Sequence, residues 1–474
     1  MSYPALFFVL LLPIMINDMK KDNRDALDYG EMRVPRLFRK LFFPTLLGLV
    51  SSVLLNIADG VFVGRGVGSD ALAAINIISP VFLISTGISL MFGSGVSVVA
   101  AVHMSKGNYK AANINITQAF TLGLLLMAVV LALMNAFPRQ TADLFGCSDL
   151  LYPMVHRYLV GVTPALLFMV VNMVGLFAIR LDGSPNYAMA VNTVGAVANI
   201  VLDWVFVFPL GWGIFGAAVA TSIAAGVGTL MVAYYFLRLN GKLRLYRPKF
   251  SATALRLTAR NCGYMLRLGL PTFIAETAIS CMIIAGNYMF MHYLHEDGVA
   301  AFSVACYLFP MIFMFGNAIA QSSLPIVSYN YGLGNAGRIR ETLRLSAGLA
   351  CGLGLLLLVA SCFMAPYIMN LFIDSASPAN AIGRGGLWLF FLTCLPFTIN
   401  VVLIGFLQSL EQYRSATVFM LMRGFFVIVP CFILLPMAVG VEGLWLAEPL
   451  SETITLVALL AYMALRGNKV LGAA

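Results

Sequence analysis

Two aspartates stand inside stretches that are otherwise almost wholly apolar: Asp59 in NIADGVFVGRG (56–66) and Asp203 in NIVLDWVFVFP (199–209). A carboxylate is costly to keep in hydrocarbon and by default marks an ion path, a proton relay or a counter-ion. Asn199 precedes Asp203 by four residues, one helical turn away on the same face. Thr221, in GAAVATSIA (216–224), adds a hydroxyl. Two carboxylates, an amide oxygen and a hydroxyl are hard ligands that suit a small hard cation. The same pair of acids, if desolvated side by side, could instead share a proton. Further along, Glu276 lies in LPTFIAETA (270–278), and Glu448 and Glu452 in LWLAEPLSE (444–452). Glu276 and Glu448 are candidates for a secondary ion or substrate site. Arg423, in an apolar run of its own, needs a counter-charge or backbone carbonyls that the sequence does not identify.

These residues need apolar elements to hold them, and the composition supplies little else. The 474 residues are 61% hydrophobic and 10% charged, with a net charge of +9, whereas a soluble domain is about a quarter charged. Soluble enzymes, disordered tails and disulfide scaffolds are excluded on that ground. The apolar runs are long and unbroken, which favours helices of about 20 residues over the alternating segments of a barrel. About twelve such runs occur between residues 42 and 465, so the expected fold is an all-α polytopic membrane protein. Among the 29 Lys and Arg residues, Arg65, Arg139, Arg157 and Arg384 fall on one side and Arg423 within a span. The rest share the other side, which places both termini in the cytoplasm. Nucleic-acid binding is not expected, since the basic residues sit in short clusters between spans. With that orientation Asp59 and Asp203 lie roughly 6 to 9 Å below the outer end of their spans at 1.5 Å per residue, and Thr221 reaches a similar level.

The longest polar stretch, 238–269, separates six spans from six. Across it, landmarks recur at one interval: Pro44 and Pro271, Gly107-Asn108 and Gly334-Asn335, Pro209 and Pro436, Gly213 and Gly440. Two copies of a six-helix unit follow, related by a pseudo-two-fold axis along the membrane normal, an arrangement typical of transporters. The expected domains are a cytoplasmic N-terminal segment (1–40), an N-lobe of helices 1 to 6 (41–237), a cytoplasmic linker (238–269), a C-lobe of helices 7 to 12 (270–466) and a cytoplasmic tail (467–474). The apolar start (1–16) is too short to span and lacks the flanks of a signal peptide, so translation is expected to begin at Met19 or Met32.

Other motifs fail on context. GLGNAG (332–337) spells G-x-G-x-x-G without a preceding strand. The eight cysteines contain no C-x-x-C pair and the four histidines show no ligand spacing, so neither a metal beyond a coupling Na+ nor a cofactor is expected. A membrane-embedded enzyme would need a convergent nucleophile, base or metal set in the spans, and none is present.

The segments NIADGVFVGRGVGSDALAAINIISP (56–80), HMSKGNYKAA (103–112) and NIVLDWVFVFPLGWGIFGAAVAT (199–221) together resemble the multidrug and toxic compound extrusion (MATE) family, closest to its bacterial MepA-like and DinF-like groups. With the repeat, the similarity covers residues 33 to 466. The resemblance implies a bacterial inner-membrane antiporter, acting as a monomer without cofactors. It would export bulky, often cationic, amphipathic compounds in exchange for H+ or Na+. By motif match, the family's coupling-ion residues fall on Asp59, Asn199, Asp203 and Thr221. Another branch uses a seventh-helix glutamate deeper in the span than Glu276, so the resemblance does not extend to Glu276. Distant relatives of the same architecture flip lipid-linked precursors. That alternative predicts a strongly cationic cavity, and the spans here hold one arginine and several acids.

Overall fold

The computed structural model describes residues 27–145, 147, 149–239, 241–247 and 251–470. The apolar start and the last four residues of the tail lie outside that range. The helices are α1 (Val34–Gly66), α2 (Ser69–Ser105), α3 (Tyr109–Ala136), the short α4 (Pro138–Leu144), α5 (Tyr152–Leu181), α6 (Pro185–Val207) and α7 (Gly213–Tyr234). They are followed by α8 (Ala252–Gly332), α9 (Ala336–Phe372), α10 (Pro378–Phe390), α11 (Cys394–Ser409), α12 (Tyr413–Leu421), α13 (Ile428–Val439) and α14 (Glu442–Val470). Among the described residues, 11 helical stretches are long and apolar enough to cross a bilayer, one of them the 77-residue Arg256–Gly332. That stretch breaks at His295, whose φ of 54° and ψ of −151° are not helical, so it supplies two spans and the described residues hold twelve. No strand occurs among the described residues, and the chain is an all-α polytopic membrane protein.

Water is absent from a bilayer core, so polar side chains within spans must be satisfied internally. Serine and threonine hydroxyls do this by bonding back one turn, as from Ser89 to the Ser85 carbonyl (2.7 Å) and from Ser322 to that of Ala318 (2.6 Å). The chain divides into two compact units, Met1–Phe273 and Ile274–Ala474.

In the first unit α5 packs along α2 and α7, and α1 along α6. α1 and α6 run parallel in near-constant register. The Ser51 hydroxyl lies 3.2 Å from that of Thr193, and Gly66 leaves no room for a Cβ against Val207. The stretch expected to be a linker is built into this unit. Asp182, in the turn between α5 and α6, accepts hydrogen bonds from the Tyr235 hydroxyl (2.9 Å) and from the backbone N–H groups of Gly241, Lys242 and Leu243 (3.0, 2.9 and 3.0 Å). Asn113 and Thr117 likewise hold the N–H groups of Arg244 and Tyr246. Burial raises the Asp182 carboxyl above its ordinary range even though these bonds pull the other way. α8 then starts at Ala252, well before the residue 270 expected for the seventh span. Its first part crosses α2 in backbone contact: a Cβ on Gly95 would strike the Met265 carbonyl, and one on Gly269 that of Met91.

The second unit has an aromatic core in which Phe290 stacks on Phe302 (4.6 Å) and meets Trp445 edge-on (4.9 Å). Its relation to the first is written in the backbone. Gly107 and Gly334 have φ of 72° and 71°, a left-handed conformation open to glycine at little strain. The following residues, Asn108 and Asn335, each cap a helix by accepting from the N–H three residues on, at 3.1 and 3.2 Å. Gly213 and Gly440 also share positive φ, at 58° and 72°.

Candidate functional site

Parallel packing of α1 on α6 sets Asp59 level with Asp203, and the two carboxyl groups are close enough to interact. Two acceptors share a hydrogen bond only if one carries a proton; otherwise a cation must stand between them. Asp203 is fully buried and Asn199 nearly so. The Asn199 amide donates to Asp203 Oδ2 (2.8 Å), and its oxygen accepts from the hydroxyl and the backbone N–H of Thr221 (3.2 Å each). Thr221 Oγ1 also lies 3.0 Å from the Ala217 carbonyl. All four residues expected from the sequence therefore meet in one cluster. Asp59 Oδ1 and Asp203 Oδ1 are buried without a hydrogen-bond partner, so each acid keeps one oxygen unused. No base pairs with either among the described residues. A fifth neighbour was not expected: the buried Tyr158 of α5 lies within electrostatic range of both carboxylates. It occupies an ordinary place in an apolar run, and only helix azimuth reveals it.

The second unit holds a different constellation. Arg423 bonds Glu452 Oε1 through Nε (2.8 Å) and Nη2 (2.6 Å), and its guanidinium covers the Phe397 ring at 4.4 Å. The counter-charge the sequence left unnamed is thus Glu452. Asn400 Nδ2 donates to Glu452 Oε2 (2.7 Å) and to the Glu452 carbonyl (2.8 Å). Glu448, 5% exposed, lines a small pocket with Arg423, Glu452, Phe309, Phe313 and Phe397. Glu276 is buried on α8 and is not part of that pocket. The two glutamates grouped as candidates are therefore separate features.

A duplicated bundle of apolar helices that buries acids within its spans has the construction of a secondary transporter. The chain belongs to the MatE family, whose profile matches residues 44–205 and again 271–433; the two matches begin at the paired prolines Pro44 and Pro271. It is similar to the FAD transporter of Shewanella oneidensis, with 26% identity over 435 residues covering 90% of this chain and 94% of that protein. The multidrug export protein MepA of Staphylococcus aureus is 23% identical over 444 residues, covering 89% and 92%. Among solved structures, a MOP superfamily transporter from Pyrococcus furiosus shares the fold with a TM-score of 0.85 at 20% identity, covering 92% of this chain and 96% of that one.

Proposed function

We propose that this protein is a secondary active antiporter that exports amphipathic, often cationic, drug-like compounds in exchange for H+ or Na+ by alternating access. The observation that carries this reading is the contact between Asp59 and Asp203, two acids with no base beside them and one unused oxygen each. An entering cation or proton meets both acids, while Asn199 and Thr221 fix the geometry of Asp203. Filling the site removes the repulsion between α1 and α6, so the filled and empty forms favour different packings of the two helices. Exchange requires only that ion and exported compound favour different states of the carrier. The excess of Lys and Arg on one side of the spans supports insertion in a bacterial cytoplasmic membrane with both termini inside.

The deciding experiment is efflux of ethidium from cells under imposed pH and sodium gradients, with wild type beside Asp59→Asn and Asp203→Asn. Gradient-driven efflux that survives both substitutions would overturn the reading, and the gradient that drives the wild type identifies the ion. A second substrate class is favoured by one observation: the FAD transporter matches at higher identity than MepA. Everted vesicles offered FAD beside ethidium decide between an anionic flavin dinucleotide and a cationic amphipath.

A further inference from the structure

The second unit buries one guanidinium among two carboxylates, so one acid is always without its partner. Glu448 and Glu452 are four residues apart on α14, on one helical face and about 6 Å apart along its axis at 1.5 Å per residue. Arg423 is bound to Glu452. Glu448 faces the same pocket, 95% buried, and makes no hydrogen bond to any described residue. Arg423 Nη1 takes no part in the bond to Glu452: among the described residues its hydrogen bond goes to the Met420 sulfur at 3.8 Å.

The backbone beneath Arg423 is built to shift. Residues Met422–Phe426 form a π-helical turn, closed by a bond from the Val427 N–H to the Met422 carbonyl (2.9 Å). Pro430 explains the fault, because it has no N–H to offer the Phe426 carbonyl four residues back. A π-turn holds one residue more than an α-turn, and such bulges recur at functional sites. Gly424, within the turn, brings the backbone directly against Ala278 of α8, where a side chain would not fit. The walls next to the guanidinium are the flat ring of Phe397 and the flexible Met420, and neither fixes it in place.

The geometry points to Glu448 and Glu452 as two alternative docking stations for the Arg423 guanidinium, occupied one at a time as the second unit changes conformation. In the conformation described here the Glu452 station is filled. The move is one helical turn along α14 and breaks two hydrogen bonds while making others, with the charge kept inside the pocket throughout. A fixed structural ion pair would have no use for Glu448, and that difference makes the two readings separable.

The test is a double-mutant cycle on the purified full-length protein, followed by thermal unfolding in detergent, with transport as a separate arm. If Glu448 accepts the guanidinium, Glu452→Gln lowers Tm by no more than about 5 °C. Glu448→Gln leaves it unchanged, and the double variant loses at least about 5 °C beyond their sum. A Glu452→Gln protein that melts with the double variant, or fails to fold, overturns the proposal, because Glu448 then offers no second station. Simple additivity overturns it too. The transport arm rests on the alternating-access reading above: Glu448→Gln should slow ethidium exchange by at least about tenfold at unchanged Tm, since it removes no bond of the present conformation. Wild-type exchange rates in Glu448→Gln overturn the proposal. Absence of ethidium exchange in the wild type itself counts against that substrate alone and leaves the melting cycle to decide.

Discussion

The two units use equivalent backbone turns to hold opposite electrostatic designs. The Asp59–Asp203 cluster in the first unit brings acids together without a base among the described residues. In the second unit Arg423 is a counter-charge fixed to the chain, already clasped by Glu452 and supported by Asn400. Thr221 and Glu448 occupy corresponding places in the repeat, a hydroxyl in one unit and a carboxyl in the other. Duplication therefore preserved the scaffold and let the charge diverge. In the first unit neither acid has a base among the described residues, whereas in the second Glu452 is paired with Arg423 and the buried Glu448 and Glu276 are not.

The contrast can be broken at several points. The largest effect is expected at Arg423→Met, which strands a buried carboxylate and should destabilise the protein by about 3–5 kcal/mol. Combining it with Glu452→Leu should recover most of that loss in thermal unfolding. Asp203→Asn strands no charge and should leave Tm close to wild type. If it proves the more damaging of the two, the first unit's acids are structural and the comparison fails. Its expected effect is on exchange, a loss of gradient-driven efflux of about 5- to 150-fold, the usual size of a coupling free energy.

Smaller effects probe the shared scaffold. Gly107→Ala and Gly334→Ala place a Cβ at positive φ in open space, at a cost of about 1–2 kcal/mol each. Equal losses in unfolding experiments support equivalent turns; unequal losses show that the units differ in backbone as well as charge. The smallest effect concerns Asp182. Because burial raises its folded pKa above the ordinary 3.8, its contribution is full below that value and fades as pH rises through the folded one. Wild-type Tm should accordingly drop across that window relative to Asp182→Asn, whose profile should be flatter.

Depth was legible in the sequence and azimuth was not. A bilayer fixes span length, so counting from helix ends set Asp59, Asp203 and Thr221 level, and the four-residue step put Asn199 on the Asp203 face. Which helices adjoin is a different question, because spans apolar on every side carry no stripe to show their inner face. For that reason the sequence shows neither Tyr158 beside the acids nor the partner of Arg423. Glu452 is distant in sequence, and the pair depends on how α14 is rotated against a π-turn. The early start of α8 was hidden for another reason: residues 252–269 carry enough arginine to resemble a loop, yet they lie against α2 through Gly95 and Gly269. The repeat itself could be read, since glycine at positive φ and asparagine at a cap are chosen by local geometry.

Placing one acid on α1 and the other on α6, instead of both on one helix, turns occupancy into mechanics. An ion seated between them would act as a rivet across the seam, and its departure would leave two like charges prying the seam apart. The state of the site should then be readable without following any solute, as a spin-label distance across α1 and α6 or as amide exchange along α1 that slackens whenever the rivet is lost.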